Sequence, residues 1–575
     1  MVDAFAWFTR WQRWLQSRSG RLLGYLWLGA LAGALLLSAQ YAYQGSLSVE
    51  EYAFACDPFG YLRMARQVRQ AVANLDLPQF HLESSQTRLL IDLMQLREVP
   101  LGLWEEMVAP HAHHYFPRVG SVGVQYPPGT GLMLAFFPEG HAVDGLNQAT
   151  IALFLVTGFL VLILAGTRRA WFSAGFVTMA LYLGLVMLRK IGTDSYSINA
   201  ALAPLLLGFL CIFAALGLRS SPGRDRAAWF AAFVGGCLLG FTILIRLPVI
   251  FLVPGLLMLL WPQSWRPSIR DLLMPFSLGI VVTGLVPLLA HQYHTTGAWY
   301  LPTYGGADSA PPRLEPLWAN LRYYLGGGRG SQHNWALFVL FIGVGGLLIY
   351  CARHKRTHLD LSWTRLSGSA LTLWGLPTVY FLTHHIAISY YSIPATFGAV
   401  LLVALGALTI ECCSSPAAYR TRSTRGGGLR WVALALALLP GIATLIPAGR
   451  ASARDAAPIA RPARHFVLPA DLSAEHAWVW ADLLSGTFWY YGNKPAFKIG
   501  FTVPDTRALV YGFVSERGEP QYLVRDSATM QEIMQEISHM GGRLEPRGEV
   551  EGHPYFLIHW PKGGPISTPL RDAPS

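Results

Sequence analysis

Charge is what this chain has least of: only 13% of its 575 residues are Asp, Glu, Lys or Arg, against 53% hydrophobic residues. An ordinary soluble domain carries about 25% charged residues, so lipid rather than water is the expected solvent for much of the surface. Cysteine is scarce as well. The six cysteines, at 56, 211, 237, 351, 412 and 413, have neither the spacing of a disulfide framework nor that of a zinc site. No Asn-x-Ser/Thr sequon occurs in the segments assigned below to the outside, which favours a bacterial inner membrane over an endoplasmic reticulum one. Neither an internal repeat nor a low-complexity tract is found beyond a Pro- and Ala-rich linker near 447–463.

What the chain does have is long runs without charge. Leu22 to Gln40 contains no Asp, Glu, Lys or Arg, and a bilayer core of roughly 30 Å calls for an apolar helix of about 20 residues. Similar segments follow at approximately 147–166, 170–188, 196–218, 227–245, 247–262, 272–290, 335–352, 366–383, 390–410 and 431–448. The reading is an all-α polytopic membrane domain of about 11 transmembrane helices. Arg10, Arg13, Arg18 and Arg21 precede the first span, which is long and lacks a clear small-residue cleavage site, as in an uncleaved signal anchor.

Basic residues set the orientation. With the N-terminus inside, the inner connections hold 19 of the 44 Lys and Arg but 5 of the 33 Asp and Glu, leaving 25 basic and 28 acidic residues elsewhere. The formal charge of +11 is therefore a topology signal and not a nucleic-acid signature. Residues 1–448 form the membrane domain, with large outer loops at 41–146 and 291–334. Residues 449–575 read as a C-terminal soluble α/β domain on the outer face, with strands at 477–480, 496–500, 508–513 and 555–560 and a helix from about 528 to 540 capped by Asp526 or Ser527. In the first outer loop, 60–75 and 86–96 read as helices, and the apolar run 132–137 is too short to span.

Function is sought in the outer segments. Asp57 opens Asp57-Pro58-Phe59-Gly60-Tyr61-Leu62-Arg63-Met64-Ala65-Arg66 just outside the first span. A carboxylate there can orient or deprotonate an attacking hydroxyl, or it can simply start the helix after Pro58; spacing alone weighs the two evenly. Arg246, in Ile245-Arg246-Leu247-Pro248, is a cation between apolar spans on the outward side, where a lipid phosphate is a natural ligand and snorkelling to the interface is the bland reading. Arg189 and Lys190 break the same bias beside Asp194, and an internal ion pair accounts for them equally well. His111, His113, His114, His384 and His385 match no metal motif; contact with phosphate or headgroup suits them as well. Tyr126-Pro127-Pro128-Gly129-Thr130-Gly131 is a rigid turn followed by a flexible one.

Taken in order, these pieces resemble the GT-C membrane glycosyltransferases, especially the protein O-mannosyltransferase and lipid A aminoarabinose transferase group. That family carries D-E-x-x-Y-x-x-x-A-R after its first span, matched by Asp57, Tyr61, Ala65 and Arg66, with Pro58 in place of Glu. Tyr126-Pro127-Pro128 matches its Pro-Pro turn, Arg246 and Pro248 its basic-x-Pro element, and Asp194 its acid before the fourth span. Where the family has an Arg-Tyr pair near the tenth span, this chain has Tyr390-Tyr391, with His384 or His385 as substitutes. The resemblance implies a GT-C-like fold and transfer of a sugar from a polyprenyl-phosphate donor to a lipid, glycan or protein acceptor at the outer interface. Asp57 and Asp194 are then the catalytic acids, and Tyr61, Arg66, Tyr126, Lys190, Arg246, His384 and His385 the substrate-binding residues. No cofactor is fixed by these residues, and a divalent cation is left open. Two other classes share the many spans and outer loops: a flippase for lipid-linked sugar, and a polysaccharide polymerase or ligase. Flippase sites normally sit at the bilayer midplane among broken spans and repeats, whereas the polar residues here cluster outside.

Overall fold

The computed structural model describes residues 18–46, 53, 57–168, 196–219, 223–261, 271–304, 313–323, 363–384, 466–562 and 564–565, with a few positions between 174 and 185. The chain is mostly helical, with a strand-bearing C-terminal region. The helices that matter here are α1 (Arg18–Ser46), α2 (Asp57–Asn74), α3 (Ser85–Leu96), α4 (Gly129–Ala135), α5 (Ala142–Arg168), α6 (Tyr196–Arg219) and α7 (Asp225–Ile245). They are followed by α8 (Leu273–Thr296) and α9 (Trp363–Thr383).

Among the described residues, five helices are long and apolar enough to cross a membrane: α6, α7, α8, Leu22–Gly45 within α1 and Ala142–Ile163 within α5. The expected spans at 335–352, 390–410 and 431–448, and much of 170–188, lie outside the described residues. The expected span at 247–262 is instead a 3-10 turn, Leu247–Leu252, leading into a short helix, Val253–Leu260. Pro248 and Pro254 each remove a backbone donor there, which favours a break over one continuous helix. In α9 the apolar part is likewise short, Leu371–Thr383.

Small residues set how closely the spans pack. A Cβ on Gly235 of α7 would come 3.1 Å from the carbonyl oxygen of Gly208 in α6, and one on Gly240 would come 2.6 Å from Thr283 Oγ1 in α8. These glycines let the backbones approach as glycine-rich membrane helices do. Where α8 passes this point it widens into a π turn, Val281–Leu285, and the Thr283 hydroxyl donates to the Cys237 carbonyl at 2.6 Å. The end of α7 that carries Arg246 is thereby fixed between its neighbours.

In the segment between α1 and α5, α2 and α3 form where the sequence predicts helices, and Ser84 caps α3 by accepting from the Thr87 amide. The segment also holds a small antiparallel sheet of β1 (His81–Leu82), β2 (His113–Phe116) and β3 (Ser121–Val124), in the order β1-β3-β2.

The C-terminal region is a five-stranded sheet in the order β5-β4-β6-β8-β7. Its strands are β4 (Trp478–Trp480), β5 (Ala496–Phe497), β6 (Gln521–Val524), β7 (Arg543–Val550) and β8 (His553–His559). Strands β5, β4 and β6 run parallel, while β8 and β7 complete it antiparallel. Helices α10 (Ser485–Gly492), α11 (Pro504–Glu516) and α12 (Ala528–His539) accompany it. The expected strand at 508–513 is part of α11. Thr506, Arg507, Val510, Tyr511 and Val514 are its buried residues, a period of three to four rather than two, and Pro504 opens it. Ser527, not Asp526, caps α12 through the Met530 amide.

This region does not fold as an island. Phe59, Tyr61, Leu62 and Met64 of α2 share one hydrophobic cluster with Trp478, Trp480, Phe497 and Tyr511. A Cβ on Gly486 would run into the Phe59 ring, and the Lys498 amide donates to the Met107 carbonyl at 3.1 Å. Because the two parts share a core, they lie on one side of any membrane the spans cross.

Candidate active site

Asp57 and Pro58 open α2, where the helix dipole favours a carboxylate and proline's missing amide costs nothing. The Tyr126 hydroxyl donates to Asp57 Oδ1 at 2.5 Å. Four residues along α2, and so on the same face, is Tyr61. Its ring packs on Tyr126 with centroids 4.6 Å apart, and Tyr126 in turn meets Tyr304 edge-on at 5.9 Å.

The other half of the cluster comes from the spans. α7 ends at Ile245 because Pro248 follows; Arg246 is extended, with φ −147 and ψ 105, and its amide donates to the Thr242 carbonyl at 2.8 Å. Its guanidinium Nη1 donates to Ser197 Oγ on α6 at 3.1 Å. Ser197 is hydrogen-bonded to Tyr61 as well. Burial first, then the nearby Asp57 carboxylate and Tyr304 phenol, push the Tyr61 phenol well above its ordinary pKa, against the opposing pull of Ser197 and Arg246. Tyr61 is thus a neutral phenol that feels both a carboxylate and a guanidinium.

The Tyr126-Pro127-Pro128-Gly129 turn joins the two halves. A Cβ on Gly129 would come 2.5 Å from the Ile245 amide nitrogen, and one on Gly131 would come 2.5 Å from Met64 Cβ. A Cβ on Gly60 would come 2.9 Å from the Tyr126 ring. From below, His291 of α8 is hydrogen-bonded through Nε2 to the Tyr126 carbonyl at 3.1 Å. The glycines are the sequence signal for this close approach, but only the fold shows what each one approaches.

Four of the residues singled out in the sequence, Asp57, Tyr61, Tyr126 and Arg246, are therefore brought together. Ser197, Tyr304 and His291 join them, although nothing in their local sequence marks them. Arg66 sits elsewhere, ion-paired with Glu139 and stacked over the Tyr490 ring at 3.7 Å. His384 follows the end of α9, with its ring 5.3 Å from Tyr380, and its carbonyl accepts from Asn320 at 2.6 Å. Asp194, Lys190 and His385 lie outside the described residues.

His111 ties the segment before α4 to the C-terminal region, and His113 Nδ1 bonds back to the His111 carbonyl at 3.1 Å. His111 Nε2 meets Asp482 Oδ1 at 2.9 Å, while Asp526 receives the backbone amides of Asp482 and Leu484. Burial lowers the His111 pKa, and it pushes that of His113 down to about 3. Among the described residues no group of three or more His, Cys, Asp or Glu converges as metal ligands.

Chemically, the cluster supplies a carboxylate that can accept a proton, phenols and a hydroxyl that can orient oxygen atoms, and a cation that can meet developing negative charge. No protein-family model matches this chain, and no curated protein matches it.

Proposed function

We propose that this protein is a membrane glycosyltransferase that moves a sugar from a polyprenyl-phosphate donor to an acceptor hydroxyl at the outer face of a bacterial inner membrane. The observation that carries this reading is that Asp57 and Arg246 both lie within electrostatic reach of one buried phenol, Tyr61, whose ring packs on the Tyr126 that donates to Asp57. In the reaction, the acceptor oxygen attacks the anomeric carbon and its proton passes to Asp57. The bond from that carbon to the phosphate oxygen breaks, and the phosphate leaves with its charge beside Arg246. Tyr61, which stays protonated, and Ser197 hold the oxygens between them. The common core of α2 and the C-terminal sheet supports placing both on one side of the membrane, and the excess of basic residues in the opposite connections supports calling that side the outer one.

The test is to give the purified protein, in lipid nanodiscs, a polyprenyl-phosphate sugar labelled in the sugar. Release or transfer of the label supports the reading. Movement of the intact lipid across vesicles with no cleavage overturns it in favour of transport.

A further inference from the structure

α2 carries a second polar face. Arg63, Gln67, Gln70 and Asn74 follow one another at helical spacing, roughly 130° around the axis from Asp57 and Tyr61 at 3.6 residues per turn. A solvent-facing helix stripe ordinarily carries charge, yet three of these four residues are neutral amides. They line a cleft of about 570 Å³ between α2 and the C-terminal region, whose other wall is the run Trp489-Tyr490-Tyr491 with Asn493. That volume falls within the roughly 300–1,000 Å³ range of small-molecule sites.

The walls are braced. The Arg63 guanidinium lies 5.8 Å from the Trp489 ring centroid, and Arg66 stacks on Tyr490 while its Nη1 bonds the Tyr490 carbonyl at 2.5 Å. Arg66 is held in turn by Glu139, which also receives the Tyr490 hydroxyl at 3.3 Å. Tyr491 accepts from the Ala53 amide at 3.2 Å, and Thr487 donates to the Ala53 carbonyl at 2.8 Å. A cleft held open in this way loses little freedom when it is filled.

We infer that this cleft binds an oligosaccharide. A side-chain amide offers a donor and an acceptor side by side, matching the paired hydroxyls of a sugar ring. Of the aromatic wall, Tyr491 is the exposed member and supplies rigid apolar area for the C–H face of that ring, while Trp489 and Tyr490 lie buried behind Arg63 and Arg66 and stiffen the wall. The cleft's polar lining does not suit a lipid acyl chain, and one carboxylate, Asp76, with one imidazole, His81, is a poor metal set. His81 is moreover engaged with Ser121 and the His294 carbonyl. The inference stands apart from the transfer reading, because it uses neither Asp57 nor Arg246.

The experiment is isothermal titration of the full-length protein in nanodiscs with hexasaccharides of cellulose, mannan, chitin and polygalacturonate, and with a set of unstructured peptides of similar mass. At least one hexasaccharide should bind saturably and more tightly than its disaccharide. The triple change Gln67→Ala, Gln70→Ala and Asn74→Ala should weaken it ~10- to 100-fold, the loss expected from two or three neutral hydrogen bonds. Gln70 and Asn74 are exposed, so folding should survive, and Gln70→Trp, which fills the cleft without truncation, should abolish binding independently. Asp57→Asn and Arg246→Ala should bind as the parent does, which separates this result from any failure of the transfer reading. No saturable glycan binding, binding of peptides alone, or full binding by both cleft variants would overturn the inference.

Discussion

Tyr126 gives its phenolic hydrogen to Oδ1 of Asp57, a residue 69 positions earlier in the chain. That bond joins the start of α2 to the Pro-Pro turn and holds the carboxylate in one orientation. Tyr126→Phe keeps the ring contact with Tyr61 and removes only the donor. We expect transfer to fall ~10- to 100-fold, the scale of a hydrogen bond to a charged group. An unchanged rate would show that the bond is structural only.

Gly129 is expected to be intolerant of a side chain. The added Cβ would meet the backbone at Ile245 N and Leu244 C, at 2.5 and 2.6 Å, atoms that cannot swing aside. Gly129→Ala should cost about 1–3 kcal/mol, as overpacking does, and should shift Arg246 with the end of α7. Gly102→Ala, where nothing lies within 4 Å of the new atom, is the control. Thermal unfolding of the two variants should separate them clearly.

These two residues also show how much could be read beforehand. The charge-free runs located the five described spans, since twenty apolar residues have few other uses, and the Asp57-to-Arg66 segment declared its helix by period. Val510 and Tyr511 misled as a strand because a short apolar run fits either period until its partners are known. Gln521–Val524, wholly buried, lacks the alternation that marks a strand, and Arg543–Val550 is a charged, exposed edge strand with little apolar pattern. Within the site, Asp57 and Arg246 stood out as charges beside apolar runs. Ser197 and Tyr304 did not, because a hydroxyl in a span or a tyrosine in a loop is ordinary, and only packing brings them to Tyr61.

Acid should weaken the fold around β2 through His113. Its pKa falls to about 3 in the fold from the ordinary 6.5 or so, so between these values the unfolded chain binds a proton that the folded one refuses. Stability from this group is therefore full above pH ~6.5 and drains away as pH falls toward the folded value, by up to about 1.4 kcal/mol per pH unit. Asp526, raised to about 6 by burial, works in the opposite sense, gaining stability as pH falls from there toward its unfolded value. His113→Asn, which keeps a donor for the His111 carbonyl, should flatten the fall in melting temperature between pH 6.5 and 4. An equally steep fall would contradict the assignment.

Arg246 should matter to the donor more than to the fold. Arg246→Ala removes a charge-assisted contact and should raise KM for the polyprenyl-phosphate sugar or lower kcat/KM by several-fold to hundreds-fold. Arg246→Lys keeps the charge but not the planar fork, and should recover only part of the loss. Properly inserted Arg246→Ala protein with parental kinetics would remove the phosphate role.

The most direct test of the account is the transfer rate of Asp57→Asn in nanodiscs with a labelled polyprenyl-phosphate sugar. Asn keeps the size of Asp57, can still accept from Tyr126, and starts a helix as well as Asp does; only the charge and the proton acceptor are lost. The account predicts a rate reduced by roughly 10²- to 10⁴-fold, the contribution of a general base, with an unfolding temperature close to the parent's. Full transfer activity in the well-folded Asp57→Asn protein would contradict it.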